Sequence, residues 1–220
     1  MDGTVPADDD ALGAGTAGGA FPIDVSEHEG GQKKKAEAGL AEGRRGRNAA
    51  QVIANLSVAA LAVTPLAGDV VGGWMARCRG AEVANVWVFS TMKVMCLAAL
   101  VEATADTVSS EIGQAFGGRP VMLPSLQRVQ PGTDGAVTLL GSVAGIGAGV
   151  MVAVVGMWGL RLPAGEAGIA LLAGVGGLFF DSLLGATVER RGWWGNDLVN
   201  FSSTAFAALL AAVMLGFARL

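Results

Sequence analysis

The sequence predicts an all-α membrane protein, a polytopic bundle of about five transmembrane helices behind a disordered polar N-terminal tail. Three observations predict it. Of 220 residues, 52% are hydrophobic and only 15% charged, against about 25% charged in soluble domains. Five apolar segments are each long enough to cross roughly 30 Å of hydrocarbon. Lys and Arg gather in alternate loops, as the bias toward positive cytoplasmic loops requires.

Residues 1–47 are rich in Gly, Ala, Asp and Lys without periodicity, a composition that reads as disordered, and the membrane domain spans 48–220. The tail lacks the apolar stretch of a secretory signal and is too acidic for a standard transit peptide. The net charge of −4 owes much to Asp2, Asp8, Asp9, Asp10, Asp24, Glu27 and Glu29 in this tail. The bands flanking the apolar runs are basic instead. Basic residues are not interleaved with aromatics, which points away from nucleic acid. The two cysteines, Cys78 and Cys96, form no CxxC pair, and Cys96 lies in an apolar run as buried filler. The one histidine, His28, sits in the tail. A zinc site built on histidines is thereby excluded, leaving hard, oxygen-ligated ions as the candidate metals.

The first apolar segment, 48–68, carries no charge. The second, 83–105, is interrupted by Lys93 and Glu102, and the third, 135–160, is uninterrupted. The fourth, 164–188, holds Glu166 near its start and Asp181 well inside, and the fifth, 198–218, is again uncharged. Helices are the economical choice, because an open strand in lipid leaves its backbone unpaired. With alternating spans, one face collects Lys33, Lys34, Lys35, Arg44, Arg45, Arg47, Arg119, Arg128, Arg190 and Arg191, and the other only Arg77, Arg79, Arg161 and Arg219. The tail therefore faces the cytosol, or the stroma or matrix in an organelle.

Four polar constellations fall on that basic face, and the opposite loops hold no comparable cluster. Glu102, Asp106 and Ser110 recur every four residues and share a helical face, with Glu111 just beyond. A carboxylate inside an apolar helix is costly unless paired or metal-bound; the other reading is a helix end opening into solvent. Arg128 precedes the loop Pro131-Gly132-Thr133-Asp134-Gly135, which reads as a helix start presenting N–H groups to phosphate or as ordinary turn chemistry. Gly141, Gly145 and Gly149 form a small-residue stripe for close helix packing. Gly177, Asp181, Gly185 and Glu189 make a further stripe, with Ser182 beside it. Asn196 or Asp197 suits a helix N-cap, while Asn200 and Thr204 carry the Asn196 face inward. Near the start of the first span Arg44, Asn48, Gln51 and Asn55 share a face. Carboxylates, amides and arginines so gathered are the groups a Mg²⁺ and phosphate site needs.

Several blocks occur in order: Gly43-Arg44-Arg45 with Gln51 to Asn55, Ala105-Asp106-Thr107 with Ser110-Glu111-Ile112-Gly113, and Val129 to Thr133. Asp181-Ser182-Leu183-Leu184-Gly185-Ala186-Thr187 and Asn196-Asp197-Leu198-Val199-Asn200-Phe201 follow. Together they resemble the phytyl-phosphate kinase and transmembrane-protein-nineteen family of integral membrane proteins. The resemblance runs from Gly43 to the C-terminus and implies further apolar spans ahead of Gly43, where this chain carries its polar tail. It also implies phosphoryl transfer from a nucleotide, with CTP as donor, to an isoprenoid monophosphate such as phytyl phosphate. The plant members place that activity in the chloroplast envelope.

On this reading Asp106, Glu111 and Asp181 hold Mg²⁺ and form the catalytic centre. Arg44, Arg45 and Arg128 meet phosphates with Gly132 and Thr133, and Asn55, Ser182, Asn196 and Asn200 complete the substrate site. Walker A, HRD and DFG motifs are absent, so the chain is no soluble-type kinase. A membrane prenyltransferase is a poorer match, because the Asn196 to Asn200 box lacks a partner Asp-rich motif. An ion-coupled carrier using Asp106 and Asp181 and a non-catalytic membrane scaffold are the alternatives from other classes.

Overall fold

The protein was analysed as a computed structural model, which describes residues 49–79 and 85–219. The tail, with Arg44, Arg45 and Asn48, lies outside the described residues. Among the described residues six helices form: α1 (Ala49–Ala62), α2 (Pro65–Arg79), α3 (Asn85–Phe116), α4 (Leu139–Gly159), α5 (Ala164–Leu184) and α6 (Asn196–Ala218). A π-helical turn, Gly185–Glu189, continues α5. Two-residue strands β1 (Val121–Met122) and β2 (Ala136–Val137) pair antiparallel between α3 and α4. Among the described residues four helices are long and apolar enough to cross a membrane, or up to five spans if the bent pair α1–α2 counts as one.

That bent pair departs from the single first span the sequence predicts. At about 1.5 Å per residue, the 14 residues of α1 fall short of the hydrocarbon thickness. The break has a local cause. Pro65 lacks the N–H that would continue the helix and crowds the carbonyl one turn back, while the Thr64 hydroxyl accepts from the Ala67 N–H at 3.3 Å and caps α2. The two helices meet at 58°, and α2 fills what reads as a loop.

The second span extends further than predicted, through Phe116, and is the longest helix at 32 residues. Glu102, Glu111 and Gln114 are good helix formers, so charge ends the apolar pattern without ending the helix. Termination waits for Gly117, whose N–H reaches the Gly113 carbonyl, and for Gly118 at φ 71°. The connection to α4 then folds back over the bundle end. Helix α4 begins at Leu139, four residues later than predicted, because the Thr138 side chain accepts from the Gly141 N–H at 3.0 Å.

Helix α3 is the axis of the bundle, packing against α1, α4, α5 and α6. Leu97 and Val101 of α3 meet Ala170 and Ala173 of α5 and Ala211 and Leu215 of α6 in the main core. Outward faces stay apolar, with Met151, Val155 and Trp158 of α4 exposed, as lipid contact demands. The glycine stripe packs as predicted: a Cβ at Gly145 would strike the Ala105 carbonyl oxygen and Ser109, and one at Gly149 would crowd Val101. Open space surrounds Gly147. Gly145→Ala is therefore expected to destabilise the α3–α4 seam by about 1–3 kcal/mol. Gly147→Ala should be neutral or stabilising by up to about 1 kcal/mol. Thermal unfolding of both variants in detergent checks the contrast.

Candidate functional site

Where α3, α5 and α6 meet, carboxylates from two helices face a hydroxyl from the third. Glu102 is only 1% exposed, and its Oε1 has no hydrogen-bond partner. Asp106 follows one turn on, and Asp106, the Ser203 hydroxyl and Asp181 all act on the Glu102 carboxyl. Asp181, on α5, accepts from the Ser203 Oγ of α6 at 3.0 Å. The same hydroxyl lies 3.0 Å from the Asn200 carbonyl. It has one hydrogen, so it serves one acceptor at a time.

Glycine makes the room. A Cβ at Gly177 of α5 would collide with the Glu102 Cγ, the Ala207 Cβ and the Ser203 carbonyl. The Glu102 methylenes occupy the volume that a side chain there would fill.

The carboxylates continue outward as a file. Asp106 acts on both Asp181 and Glu189, and Asp134 acts on Glu189. Asp134 is exposed and Glu189 half-buried. The loop carrying Asp134 is wedged against the π-helical turn: Gly135, at φ 72°, sits so close to Ser182 and Ala186 that no side chain fits. Gly185 leaves the matching space on the other side. Such π-helical bulges recur at functional sites.

Helix geometry separates the predicted metal ligands. Because α3 is continuous through Phe116, Glu111 lies about 180° around it from Glu102 and about 140° from Asp106 at 3.6 residues per turn. Glu111 is exposed and does not join Asp106 and Asp181. Among the described residues no three His, Cys, Asp or Glu side chains form a ready-made metal cage.

The remaining predicted residues divide by depth. Asn55 and Asn200 are 7% and 8% exposed inside the bundle. Ser182 donates to the Leu178 carbonyl at 3.3 Å. Arg128 and Gly132 are exposed. Thr133 turns back on Gln130 through its hydroxyl at 2.7 Å, six residues before α4 begins, so this loop is not the helix start the sequence suggests. Gly195, without a side-chain bond, occupies the cap position expected of Asn196 or Asp197, and Asn196 is an exposed first-turn residue. Sequence reasoning missed Ser203, whose only signal is a small polar residue in an apolar run, three positions after Asn200.

The opposite end also differs from expectation, because a polar cluster exists there. Arg219 pairs with Glu166, Ser90 donates to the same carboxylate, and the guanidinium lies over the Trp87 ring at 5.7 Å. Lys93 donates to the Leu160 carbonyl at 3.1 Å. The Arg219 and Ser90 bonds clamp α3, α5 and the end of α6 together, the Lys93 bond ties α3 to the end of α4, and both oxygens of Glu166 are engaged.

The sequence profile of the integral membrane protein family DUF92 matches residues 27–208. An uncharacterized membrane protein of Synechocystis sp. is 31% identical over 183 residues, covering 82% of this chain and 65% of the relative. Protein VTE6, chloroplastic, of Arabidopsis thaliana is 28% identical over 184 residues, covering 82% of this chain and 52% of its own length. An uncharacterized membrane protein of Methanocaldococcus jannaschii is 30% identical over 132 residues, covering 59% of this chain and 54% of the relative. The chain thus spans between 52% and 65% of the length of these relatives. No solved structure gives a significant match. These matches agree with the resemblance carried by the ordered motif blocks, and a profile match over most of the chain shows that it belongs to the DUF92 family of integral membrane proteins.

Proposed function

We propose that this chain is a prenyl-phosphate kinase, transferring the γ-phosphoryl group of CTP to an isoprenoid monophosphate of the phytyl type. The observation that carries this reading is the buried Glu102, with an orphaned oxygen, grouped with the half-buried Asp106 and Asp181 at the bundle end. In the reaction an oxygen of the lipid monophosphate attacks the γ-phosphorus of CTP. The bond from that phosphorus to the β–γ bridging oxygen breaks, CDP leaves, and the lipid becomes a diphosphate.

The donor set fits a hard divalent cation. Mg²⁺ is held by one or two carboxylates plus phosphate oxygens rather than by a full protein cage, and Asp106 and Asp181 are the two carboxylates that would hold it. Such an ion, held there, would neutralise phosphate charge during transfer. Arg128, with Arg44 and Arg45 of the tail, draws in the phosphates, and Gly132 and Thr133 border their path. Asn196 and Asn200 orient the acceptor, Asn55 and Ser182 line the inner part, and the apolar helix faces receive the prenyl tail. In a photosynthetic source the chloroplast envelope is the fitting membrane.

The file from Asp134 to Glu102 also favours a second reading, an ion-coupled carrier that uses the same carboxylates. Purified protein in lipid nanodiscs, given CTP, ATP, GTP or UTP with prenyl monophosphates of graded chain length, tests the choice. The kinase reading expects release of nucleoside diphosphate that depends on both partners, with CTP and the phytyl chain preferred. A panel without any such release rejects it.

A further inference from the structure

We infer that the bundle stays closed at the Arg219–Glu166 clamp and opens at the carboxylate end, where the first turns of α6 move away from α3 to give one-sided access to the buried polar groups. The inference goes beyond the proposed reaction, because it concerns how these groups are reached and not what is transferred. The clamp ties α3, α4, α5 and α6 at one end. One Arg219 nitrogen donates to the Ser90 hydroxyl at 2.9 Å and pairs with Glu166, and the other reaches the Trp87 carbonyl at 3.4 Å. The Lys93 bond brings in the end of α4, and the Trp74 ring of α2 packs at Gly216 of α6. Arg219 and Glu166 are largely withdrawn from solvent, where charge-assisted hydrogen bonds hold more firmly than an exposed ion pair.

The other end has the opposite balance. Asp106 acts on Asp181 and Glu189, and Asp134 acts on Glu189. Like charges at low dielectric oppose close packing of the helices that carry them. Residues 190–198, which join α5 to α6 here and include the first turn of α6, are exposed throughout. Within that segment the Arg191 guanidinium lies over the Trp193 ring at 5.1 Å. Yet Ser203 and Thr204 are fully buried and Glu102 nearly so, and the space at Gly177 is already taken by the Glu102 side chain and the Ser203 carbonyl. Nothing outside the bundle reaches these groups while the helices stand as packed. Opening is drawn from the least secured part of a fold, and here that part is the start of α6.

Spin labels at both ends of the same helix pair test this in the full chain in nanodiscs, with Cys78→Ser and Cys96→Ser removing the native thiols. Val86→Cys with Phe217→Cys reports the clamp end, and Phe116→Cys with Leu198→Cys reports the carboxylate end. All four positions are exposed and outside both clusters. Without ligand, pulsed electron paramagnetic resonance should give carboxylate-end distances spread over about 2 Å more than clamp-end distances. Equal spreads, or a wider clamp end, overturn the inference. Glu166→Gln should widen the clamp-end distribution. If that variant fails to fold, Arg219→Lys, which keeps the charge without the fork, should widen it instead, and an unchanged clamp end overturns the inference. Added phytyl monophosphate should narrow or shift the carboxylate-end distances and leave the clamp end within about 1 Å. A clamp end that lengthens as the other shortens overturns one-sided access and is what an ion-coupled carrier requires. The expected ligand-free spreads, with no response to phytyl monophosphate or to CTP with Mg²⁺, uphold the clamp and count against the kinase reading. Phosphoryl transfer by wild type alongside equal spreads does the reverse.

Discussion

Asp181→Asn is expected to lower CTP-dependent lipid phosphorylation by about 10²-fold or more while leaving the fold intact. The substitution keeps the side-chain shape and an oxygen that can still accept from Ser203, which lies 3.0 Å away. What it removes is an ionisable carboxyl, able to meet a cation in its charged form, at the meeting point of α3, α5 and α6. Removing one preorganised electrostatic group from an active site costs about 10²–10³-fold in kcat, and in the kinase reading Asp181 helps hold the ion that the phosphates meet. Stability should hold or rise, because a buried carboxylate among other carboxylates is unfavourable until a cation arrives. Initial rates at saturating CTP, paired with thermal unfolding, check both halves. A variant with wild-type rate would remove Asp181 from the mechanism.

Gly177→Ala should overpack the meeting point of α3, α5 and α6. The new Cβ would meet the Glu102 Cγ, the Ala207 Cβ and the Ser203 carbonyl together, so α5 must shift or Glu102 must leave its position. Overpacking of this kind destabilises by about 1–3 kcal/mol. Because one of the three collisions is with Glu102, the effects of Gly177→Ala and Glu102→Ala should not add. The double variant should recover part of the loss, giving a coupling of about 1 kcal/mol. Thermal unfolding of wild type, both single variants and the double variant measures it. Strict additivity would mean that Gly177 makes no room for Glu102.

The features legible in the sequence are those set by local chemistry. Apolar length announces α3 to α6 as membrane helices, and four-residue spacing announces both the Gly141, Gly145 and Gly149 seam and the pairing of Glu102 with Asp106. Charge content misplaced the end of α3, because a carboxylate breaks a hydropathy run while remaining an adequate helix former. That error let Glu111 stand as a metal ligand, since a loop can swing where a rigid helix cannot. Pro65 was visible, but an uncharged run on both sides concealed the 58° bend it makes. Other features depend on distant partners. Ser203 becomes significant only when α6 sets it beside Asp181, 22 residues away in sequence. The Arg219–Glu166 clamp joins residues 53 apart. The π-helical turn makes sense once Gly135 is seen pressed against Gly185.

The most direct measurement follows the label in γ-³²P-CTP incubated with phytyl monophosphate and the protein in nanodiscs containing Mg²⁺. Label recovered in a lipid diphosphate, matched by CDP and abolished in Asp181→Asn, is the predicted result. Label remaining in CTP, with the protein folded, would contradict the kinase reading.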